Sequence, residues 1–525
     1  MSSLRSLVRS LFALTILLLS AAASRPVAAA DVVLRGGTIY DGTGSDPVVG
    51  DVVLRDERIV VVGDYEPKPE DEVIDCRGMI VAPGFIDLHT HSDGTVRGEE
   101  ARKCLNYLVQ GCTTMVTGNC GGGAGEIARF FDDVDGKGVG CNLVHLVPHG
   151  RVRQAAMKNR RGEPTVEELK QMEDQVDRGM REGAWGMSTG LIYPPSSYAA
   201  IDELIALAKV AARHGGLYVS HIRDEGDGLL DAVREAIEIG RRSGAAVQIS
   251  HFKVMGIPNW GRVRQAAEMI EKARGEGVKV TADQYPYTAS STSLTSTTMP
   301  DDQIPGGRAN LARRMAADAK LAAQVRKVIG ARIERSEKIV IAQAPKHTRY
   351  VGKSVREIAE ADQIDPVDLV LKLHGEQIQV VNHAMSEEDV RWVMNLPWVG
   401  TGSDGSARPI KPEECPHPRN FGTFARKIGR YAIEQKAIST AWAIRSSSGL
   451  PADILGLADR GYLRPGYVAD VVVLDPKSYR DTATFEAPQQ YATGARWVFV
   501  GGKAAIADSK PNESLHGRAL RHTVR

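Results

Sequence analysis

The sequence has few cysteines: six in 525 residues, and no two of them form a C-x-x-C pair. A chain of this length buries a core large enough to fold without disulfides. We therefore exclude a disulfide-rich scaffold, and we predict that Cys76, Cys104, Cys112 and Cys141 are small buried hydrophobic residues. Cys120, in the segment VTGNCGGG, needs a separate explanation.

The sequence also lacks an excess of charge of either sign. Lysine and arginine number 66 against 65 aspartates and glutamates, which gives a formal net charge of +1. This balance provides no long-range attraction to nucleic-acid phosphates or to an anionic membrane surface. We therefore predict no nucleic-acid partner.

Long apolar runs are absent after the first 30 residues. The N-terminal segment has Arg5 and Arg9, an apolar run over residues 11–19, and small residues ending in AAAD. This order is typical of a secretory signal peptide, and the run is short for a membrane span. We predict that residues 1–30 are a signal peptide, with export to the periplasm or the medium and no stable membrane insertion after cleavage. An uncleaved N-terminal anchor is the alternative.

Strand patterns occupy both ends of the chain, and a strand–helix alternation lies between them. Residues 31–82 alternate Val and Ile with turn residues, and similar segments, GYVADVVVLDP and ARWVFVGGKAAI, lie within residues 456–525. These two parts are predicted to form one small β-sandwich domain. Residues 83–455 contain eight short apolar runs, most of them followed by a helical pattern. This alternation predicts parallel strands with right-handed crossovers, hence an α/β fold with a (β/α)₈ TIM-like barrel.

A long insertion, about 288–397, separates the seventh and eighth predicted strands. It carries the Ser/Thr-rich piece ASSTSLTSTTMP, helical stretches, and the β-like runs KIVIAQA and IQVVNHA. Insertions on the active face of a barrel often cover the site. A plain surface elaboration is the alternative, and the sequence does not separate the two.

Metal-ligating side chains recur at the ends of the predicted barrel strands. His89 and His91 end the first strand, where a spacing of two puts both rings on one face. The second, fifth, sixth and eighth strands end, respectively, in Cys120, His221, His251 and Asp404. Active sites of such barrels lie at the carboxyl ends of the strands, and a thiolate with imidazoles favours Zn²⁺ over Mg²⁺ or Ca²⁺. The sequence therefore predicts a metal site in which Cys120 is a thiolate ligand.

The chain also resembles a known family across nearly all of its predicted mature length. The matching segments are, in order, GFIDLHTHSD, GNCG, WGMSTGLIYPP, SHIRDEGDGLLDAV, SHFKVMG, ADQYPYTAS, MSEEDV, GTGSDG and HPRNFGTF. They resemble the N-acyl-D-amino-acid deacylase (D-aminoacylase) family of the amidohydrolase superfamily. The resemblance implies zinc-dependent hydrolysis of N-acyl-D-amino acids to a carboxylate and a free D-amino acid. Two segments, GNCGGG and VPHGRVR, depart from the family's pattern.

The resemblance also implies roles for individual residues. It places a tightly bound zinc on Cys120, His221 and His251. It places a second, weaker metal position near His89 and His91, with Cys120 able to bridge. It assigns Asp404 to catalysis, and it implies pocket roles for four further residues: Lys253, Tyr285 and Arg419, which would hold the substrate carboxylate, and Tyr193.

A carboxylate facing a zinc site suggests a mechanism. Zinc lowers the pKa of bound water from about 15.7 to about 7. Asp404 would take the proton of that water as general base and return it to the leaving amine. The planar fork of Arg419 suits a carboxylate, and Lys253 adds a point charge. We therefore expect a small-molecule substrate with a free α-carboxylate.

Three other functions stay open. A cyclic amidase is one, although many such enzymes bridge their metals with a modified lysine on strand four, and WGMSTGL has no lysine. An exported dipeptidase acting on dipeptides with a C-terminal D-residue is another, because the chemistry is identical. The third is an exported protein that keeps the barrel but binds a ligand without hydrolysing it. Such a protein is expected to have lost metal ligands or the general base, and this sequence retains the full set.

Overall fold

The computed structural model describes residues 30–158 and 160–523. The predicted signal peptide, apart from its last residue, lies outside the described residues. Within the described ranges, no helix combines the length and the hydropathy that a membrane span requires.

The strands lie in three regions of the chain. Those of the N-terminal part are β1 (Val32–Ile39), β2 (Val48–Arg55), β3 (Arg58–Gly63), β4 (Glu72–Asp75) and β5 (Ile80–Pro83). The central part contains β6 (Phe85–Asp87), β7 (Cys112–Thr117), β8 (Asn142–His145), β9 (Val147–Pro148), β10 (Gly186–Gly190), β11 (Leu217–His221), β12 (Ala246–Ile249), β13 (Val280–Gln284), β14 (Ala289–Ser293), β15 (Lys338–Gln343), β16 (Gln379–His383) and β17 (Val399–Thr401). The C-terminal strands are β18 (Val471–Leu474), β19 (Ala495–Val500), β20 (Lys503–Ala507) and β21 (Lys510–Pro511).

The helices lie between the barrel strands, in the insertion and after the eighth barrel strand. The α-helices are Glu99–Arg102, Leu105–Leu108, Ile127–Lys137, His149–Met157, Val166–Arg181, Ile201–Arg213, Leu229–Ser243, Val263–Gly275, Leu294–Thr298, Leu311–Ala317, Ala319–Glu334, Val355–Ala361, Pro366–Lys372, Glu387–Val393, Arg419–Ala425, Thr440–Arg445 and Gly449–Leu455. Arg426–Glu434 is a π-helix. The helix Val166–Arg181 begins with a capping box, in which Thr165 and Glu168 each bond the other's backbone N–H.

Eight parallel strands form the barrel: β6, β7, β8, β10, β11, β12, β13 and β17. The short strand β9 continues β8 and pairs with β10. The barrel closes between its first and last strands, where the N–H of Leu88 donates to the carbonyl of Thr401 at 3.1 Å and that of Asp404 to His89 at 2.7 Å. The barrel strands are almost wholly buried, as expected for parallel strands covered by helices. The predicted (β/α)₈ barrel is confirmed.

The two ends of the chain form the attached β domain. Its nine-stranded sheet has the order β21-β20-β19-β18-β5-β1-β2-β3, with β4 on β1 beside β5. Because β1 pairs with both β4 and β5, the sheet folds over an apolar core contributed by both termini, for example Leu34, Val52, Val471 and Phe499. The chain therefore has a β-sandwich domain beside its barrel, as predicted, while the predicted domain limits stay a prediction.

The insertion between β13 and β17 has its own sheet and core. Strands β14 and β15 flank β16, both antiparallel to it. Buried apolar residues from its helices and strands form a separate cluster that includes Val325, Ile341, Leu369 and Val380. This small domain places polar residues of β14 and β16 toward the mouth of the barrel.

The burial of four cysteines agrees with the prediction that they are small hydrophobic core residues. Cys76, Cys104, Cys112 and Cys141 are fully buried, and all six cysteines are free thiols. Cys120 differs from these four, because it is half-buried and lies in the barrel mouth.

Candidate metal centre

The sulfur of Cys120 lies at the centre of a group of imidazole nitrogens. It is 3.4 Å from Nε2 of His89, 3.6 Å from Nδ1 of His221 and 3.7 Å from Nε2 of His251. Zinc bonds of about 2.3 Å to sulfur and about 2.0 Å to nitrogen place tetrahedral donors about 3.6 Å apart. The spacing and the chemistry of this donor set therefore fit a zinc ion.

Two overlapping donor groups share the thiolate. Cys120, His221 and His251 form one, and Cys120, His89 and His91 form the other, with the donor atoms of each group within 4.8 Å of one another. Desolvation opposes ionisation of Cys120, but His89, His221 and His251 hold the pKa of its thiol well below the ordinary value. The structure therefore brings together all five metal ligands that the sequence predicts.

Three of the residues at this centre have unusual backbone conformations. Cys120, His251 and Asp404 have φ angles of 53°, 38° and 52°, in the left-handed region that non-glycine residues seldom adopt. Such conformations concentrate at functional sites, where the surrounding structure holds them. Each residue follows the end of a barrel strand, so the turn aims its side chain into the mouth.

Asp404 lies between the donors and a buried arginine. Its Oδ1 is 3.0 Å from Nε2 of His91 and 3.6 Å from Nε2 of His89, and its Oδ2 is 2.8 Å from the guanidinium of Arg419. Burial opposes ionisation, but Arg419 and the imidazoles hold the pKa of Asp404 well below its ordinary value. The carboxylate is therefore negatively charged at neutral pH and able to accept a proton.

Glu225 is a buried residue that the sequence analysis did not identify. It lies 2.8 Å from Nδ1 of His251, accepts from Nζ of Lys253 at 2.6 Å, and lies 3.8 Å from Nε2 of His221. It thus faces the ring nitrogens of His221 and His251 that point away from Cys120. Burial raises its pKa, but Lys253, His221 and His251 outweigh burial and lower it. The one sequence signal was its position four residues after His221.

The sequence analysis also did not identify Asp283 and Asp87, two buried carboxylates that contact His89 or other residues of the site. Asp283 accepts the backbone N–H of His251 at 2.7 Å and lies 3.6 Å from Nδ1 of His89. Asp87 accepts the N–H of His89 at 3.0 Å and that of Ser403 at 2.8 Å. Carboxylates behind metal-binding histidines orient the rings and raise their basicity. Asp283 ends the seventh barrel strand, so strand-end position was an available signal.

The four predicted substrate-binding residues lie around the same site. The Arg419 guanidinium carbon and Nζ of Lys253 lie 5.0 Å and 5.7 Å from the centre of the Tyr285 ring. Tyr285 itself is buried behind them, with its hydroxyl 3.9 Å from the sulfur of Met385. Tyr193 bonds Thr292 of the insertion at 3.0 Å, and its ring packs on His221. Their roles toward a substrate stay predictions.

A cavity of about 770 Å³ opens above the donors. Its floor includes Cys120, His221, His251 and Asp404, and part of its wall comes from the insertion, through residues such as Ser290, Thr292 and Asn382. This size is within the range for small-molecule sites. The insertion is therefore part of the wall of this cavity and more than a surface elaboration.

These features define the class of the protein. A thiolate–imidazole donor set, an ionised carboxylate beside it and a deep cavity lie together at the carboxyl ends of barrel strands, where barrel enzymes have their active sites. The chain is a metal-dependent hydrolase on a (β/α)₈ barrel.

Comparison with known proteins gives the family. The amidohydrolase family model matches residues 72–506, most of the chain. The chain therefore belongs to the amidohydrolase family. It is 33% identical to a D-aminoacylase of Alcaligenes xylosoxydans xylosoxydans in an alignment of 517 residues that covers 94% of this chain and 98% of that protein. It is 34% identical to an N-acyl-D-glutamate deacylase of the same organism in an alignment of 513 residues that covers 94% of this chain and 96% of that relative.

A solved structure is similar over the same extent. It is the N-acyl-D-glutamate deacylase of Bordetella bronchiseptica, crystallised with zinc and a phosphonate inhibitor that mimics the tetrahedral intermediate. The TM-score is 0.81 at 34% identity, covering 94% of this chain and 99% of that one. Its zinc agrees with the donor chemistry of the present site.

The carboxylate of Glu225 is predicted to strengthen metal binding through the two imidazoles that it faces. Glu225→Gln should weaken zinc binding by about 10- to 100-fold, because a neutral amide orients the rings and supports their basicity less well. Cys120→Ala, which removes a ligand, should lose the metal from the purified protein. Competition with a chromophoric chelator measures both effects without reference to activity.

The matched control for this experiment is Glu235→Gln. Glu235 also pairs with a cation, Arg223, at 2.9 Å, but it is not a member of the donor groups. Its substitution should leave zinc affinity unchanged. Equal affinities in the Glu225→Gln variant and the wild type would remove Glu225 from this role.

Proposed function

We propose that the enzyme hydrolyses the amide bond of N-acyl-D-amino acids and releases a carboxylate and a free D-amino acid. The observation that carries this proposal is the position of Arg419, whose guanidinium lines the cavity beside Asp404 and the metal donors. A substrate whose carboxylate met Arg419 would hold its neighbouring amide close to those donors. The two relatives, with their D-amino-acid substrates, support the D configuration.

Arg419 lines the cavity with a guanidinium that protein groups occupy only in part. Its Nη1 lies 2.8 Å from Oδ2 of Asp404, and its Nη2 donates to the carbonyl of Ser291 at 3.3 Å. A guanidinium pairs with a carboxylate through a planar fork, so it recognises the group by shape as well as by charge. Lys253 is already engaged by Glu225 and by His251, whose carbonyl accepts at 3.1 Å. We therefore assign the main carboxylate contact to Arg419, with Lys253 adding positive potential.

The proposed reaction uses Asp404 as the base. Zinc on Cys120, His221 and His251 would supply a water that is acidic enough to ionise near neutral pH. Asp404, held ionised by its surroundings, takes that proton and later gives it to the leaving amine nitrogen. His89 and His91, with the shared thiolate of Cys120, form a second, weaker metal position in this proposal.

Replacing Asp404 by asparagine tests its role as base. Asp404→Asn keeps the shape of the side chain but removes the proton acceptor, so kcat should fall by about 10² to 10⁴-fold. Zinc content should stay near the wild-type value, because Asp404 is not a member of the predicted tight-site group. Near-normal turnover with full zinc content would exclude Asp404 as the general base.

A substrate panel tests the proposed specificity. The enzyme should cleave N-acetyl-D-amino acids, leave the L-enantiomers intact, and lose most activity when the substrate carboxylate is converted to an amide. Arg419→Lys should lower kcat/KM for the free acid by about 10-fold or more, since the planar fork is lost. Equal rates on the D and L forms, or rapid opening of a hydantoin ring in place of linear amides, would contradict the proposal.

We also propose that the enzyme acts outside the cytoplasm. The support is the order of Arg5, Arg9, the apolar run 11–19 and the small residues before Asp31. Expression in a bacterial host should give periplasmic or secreted protein whose N-terminus, read by Edman degradation, is at or near Asp31. Protein that keeps residues 1–30 and remains in the cytoplasmic fraction would refute export.

A further inference from the structure

We propose that His149 is a positioning residue, which acts through Ser196 to hold the Tyr193 turn, residues 190–197, against the metal donors. His149 lies in the segment VPHGRVR, which the proposed reaction leaves unexplained. The kinetic part of this inference rests on the proposed function, which makes Tyr193 a pocket residue. The anchoring of the turn is independent of the substrate.

His149 belongs to a buried row of four polar side chains. Its Nδ1 is 3.0 Å from Oγ of Ser196, and its Nε2 is 2.9 Å from Oε1 of Glu203. The other carboxylate oxygen of Glu203 pairs with Arg153. All four residues are at most 3% exposed, so water does not compete for these bonds. The row joins the helix after β9 to the loop and the helix after β10.

The charged end of the row fixes the ring of His149. Burial raises the pKa of Glu203, but His149 and Arg153 together outweigh burial and lower it. An ionised carboxylate only accepts, so Nε2 of His149 carries the hydrogen of their bond. Nδ1 is then the ring atom that meets the hydroxyl of Ser196. The two bonds together set the orientation of the ring and the position of Ser196.

The Tyr193 turn is shaped by bonds of its own and attached at its ends. The N–H of Tyr193 donates to the carbonyl of Gly190 at 2.9 Å, and that of Ser197 donates to Tyr193 at 2.9 Å. Arg223 donates to the carbonyl of Ser197 at 3.0 Å, at the end of the turn. Between the two ends, the hydroxyl of Ser196 ties the turn to His149.

Tyr193 connects this turn to the metal donors. Its ring meets that of His221 edge-on, with centroids 5.2 Å apart, and its hydroxyl bonds Thr292 of the insertion at 3.0 Å. A Cβ on Gly190 would collide with the carbonyl of Cys120 and would lie 3.0 Å from the Tyr193 ring. The two turns are therefore packed without spare room, and a shift of one changes the distance from Tyr193 to the donors.

The backbone beside His149 is itself attached to the metal centre. The N–H of Gly150 donates at 3.0 Å to the carbonyl of Gly121, the residue that follows the thiolate ligand. Cβ atoms on Gly121 and Gly150 would lie 3.1 Å and 3.2 Å from Oγ of Ser196, so both glycines pack against this hydroxyl. The segments GNCGGG and VPHGRVR thus touch here, and His149 holds the Tyr193 turn relative to the loop that carries Cys120.

Two amide substitutions at position 149 separate the two bonds of the ring. The amide of glutamine reaches the position of Nε2, so His149→Gln keeps the contact with Glu203 and loses the one with Ser196. The shorter asparagine places its amide near Nδ1, so His149→Asn keeps Ser196 and leaves Glu203 with Arg153. His149→Gln should lower kcat/KM for an N-acetyl-D-amino acid by about 10- to 100-fold, because small displacements of positioning groups cost that much. His149→Asn should retain most of the wild-type value.

A double-mutant cycle tests whether the effect passes through Tyr193. In a Tyr193→Ala background, His149→Gln should change kcat/KM by less than about twofold, because the side chain that it positions is absent. Ser196→Ala should reproduce the loss caused by His149→Gln. Zinc affinity should equal the wild-type value in all of these variants, since none of them removes a metal donor.

Hydrogen exchange measures the anchoring without reference to activity. In the zinc-loaded enzyme, amides of the peptide 190–199 should exchange at least about tenfold faster in His149→Gln than in the wild type, and at the wild-type rate in His149→Asn. The control is His214→Gln. His214 pairs with Asp177 at 2.8 Å, at the other end of the helix that carries Glu203, and its substitution should change neither the exchange of this peptide nor kcat/KM.

The outcomes separate this inference from the proposed function. Failure of the wild type to cleave any amide would refute the proposed function, while faster exchange in His149→Gln would still support the anchoring. Unchanged exchange in His149→Gln would overturn the inference, whatever the substrate panel shows. An equal fall of kcat/KM with and without Tyr193, a parallel fall in zinc affinity, or an equal loss in His149→Asn would also overturn it and leave the proposed function intact.

Discussion

The active site depends on one thiolate held among imidazoles. The sulfur of Cys120 is within 3.4–3.7 Å of nitrogens from three different strand ends, and both donor groups include it. No other donor of the two groups is common to both. Its left-handed backbone turns the sulfur inward, and glycine at position 121 lets the chain continue past Gly190. The metal chemistry of the enzyme therefore depends on a single side chain and its turn.

A set of buried charges holds this arrangement in place. Glu225 faces the outer nitrogens of His221 and His251, and Lys253 balances the charge of Glu225. Asp283 lies behind His89 and also accepts the backbone N–H of His251. Because each carboxylate contacts two or more elements of the site, the orientation of one ring is coupled to that of the next. This coupling helps to hold Cys120 and His251 in left-handed backbone conformations that are otherwise unfavourable.

The cavity above the centre is lined by groups of both charges. Arg419 and Lys253 provide positive charge, each beside a carboxylate, Asp404 and Glu225 respectively. The insertion adds a wall of small polar residues from β14 and β16. In the proposed function, the two cations receive the carboxylate at the leaving-group end of the substrate, and the remaining wall surrounds the acyl group.

The sequence by itself determined the architecture and the metal donors. Alternating strand and helix patterns specify the barrel, and a period of two aims His89 and His91 to one face, because these are local properties of the backbone. Position at a strand end was sufficient to find Cys120, His221, His251 and Asp404. Only the tertiary structure decided how the second layer is built. Asp283 lies near a strand end and Glu225 follows His221 by four residues, but neither position shows which imidazole the carboxylate faces. Their roles come from distances across the barrel, and those distances depend on how all eight strands close.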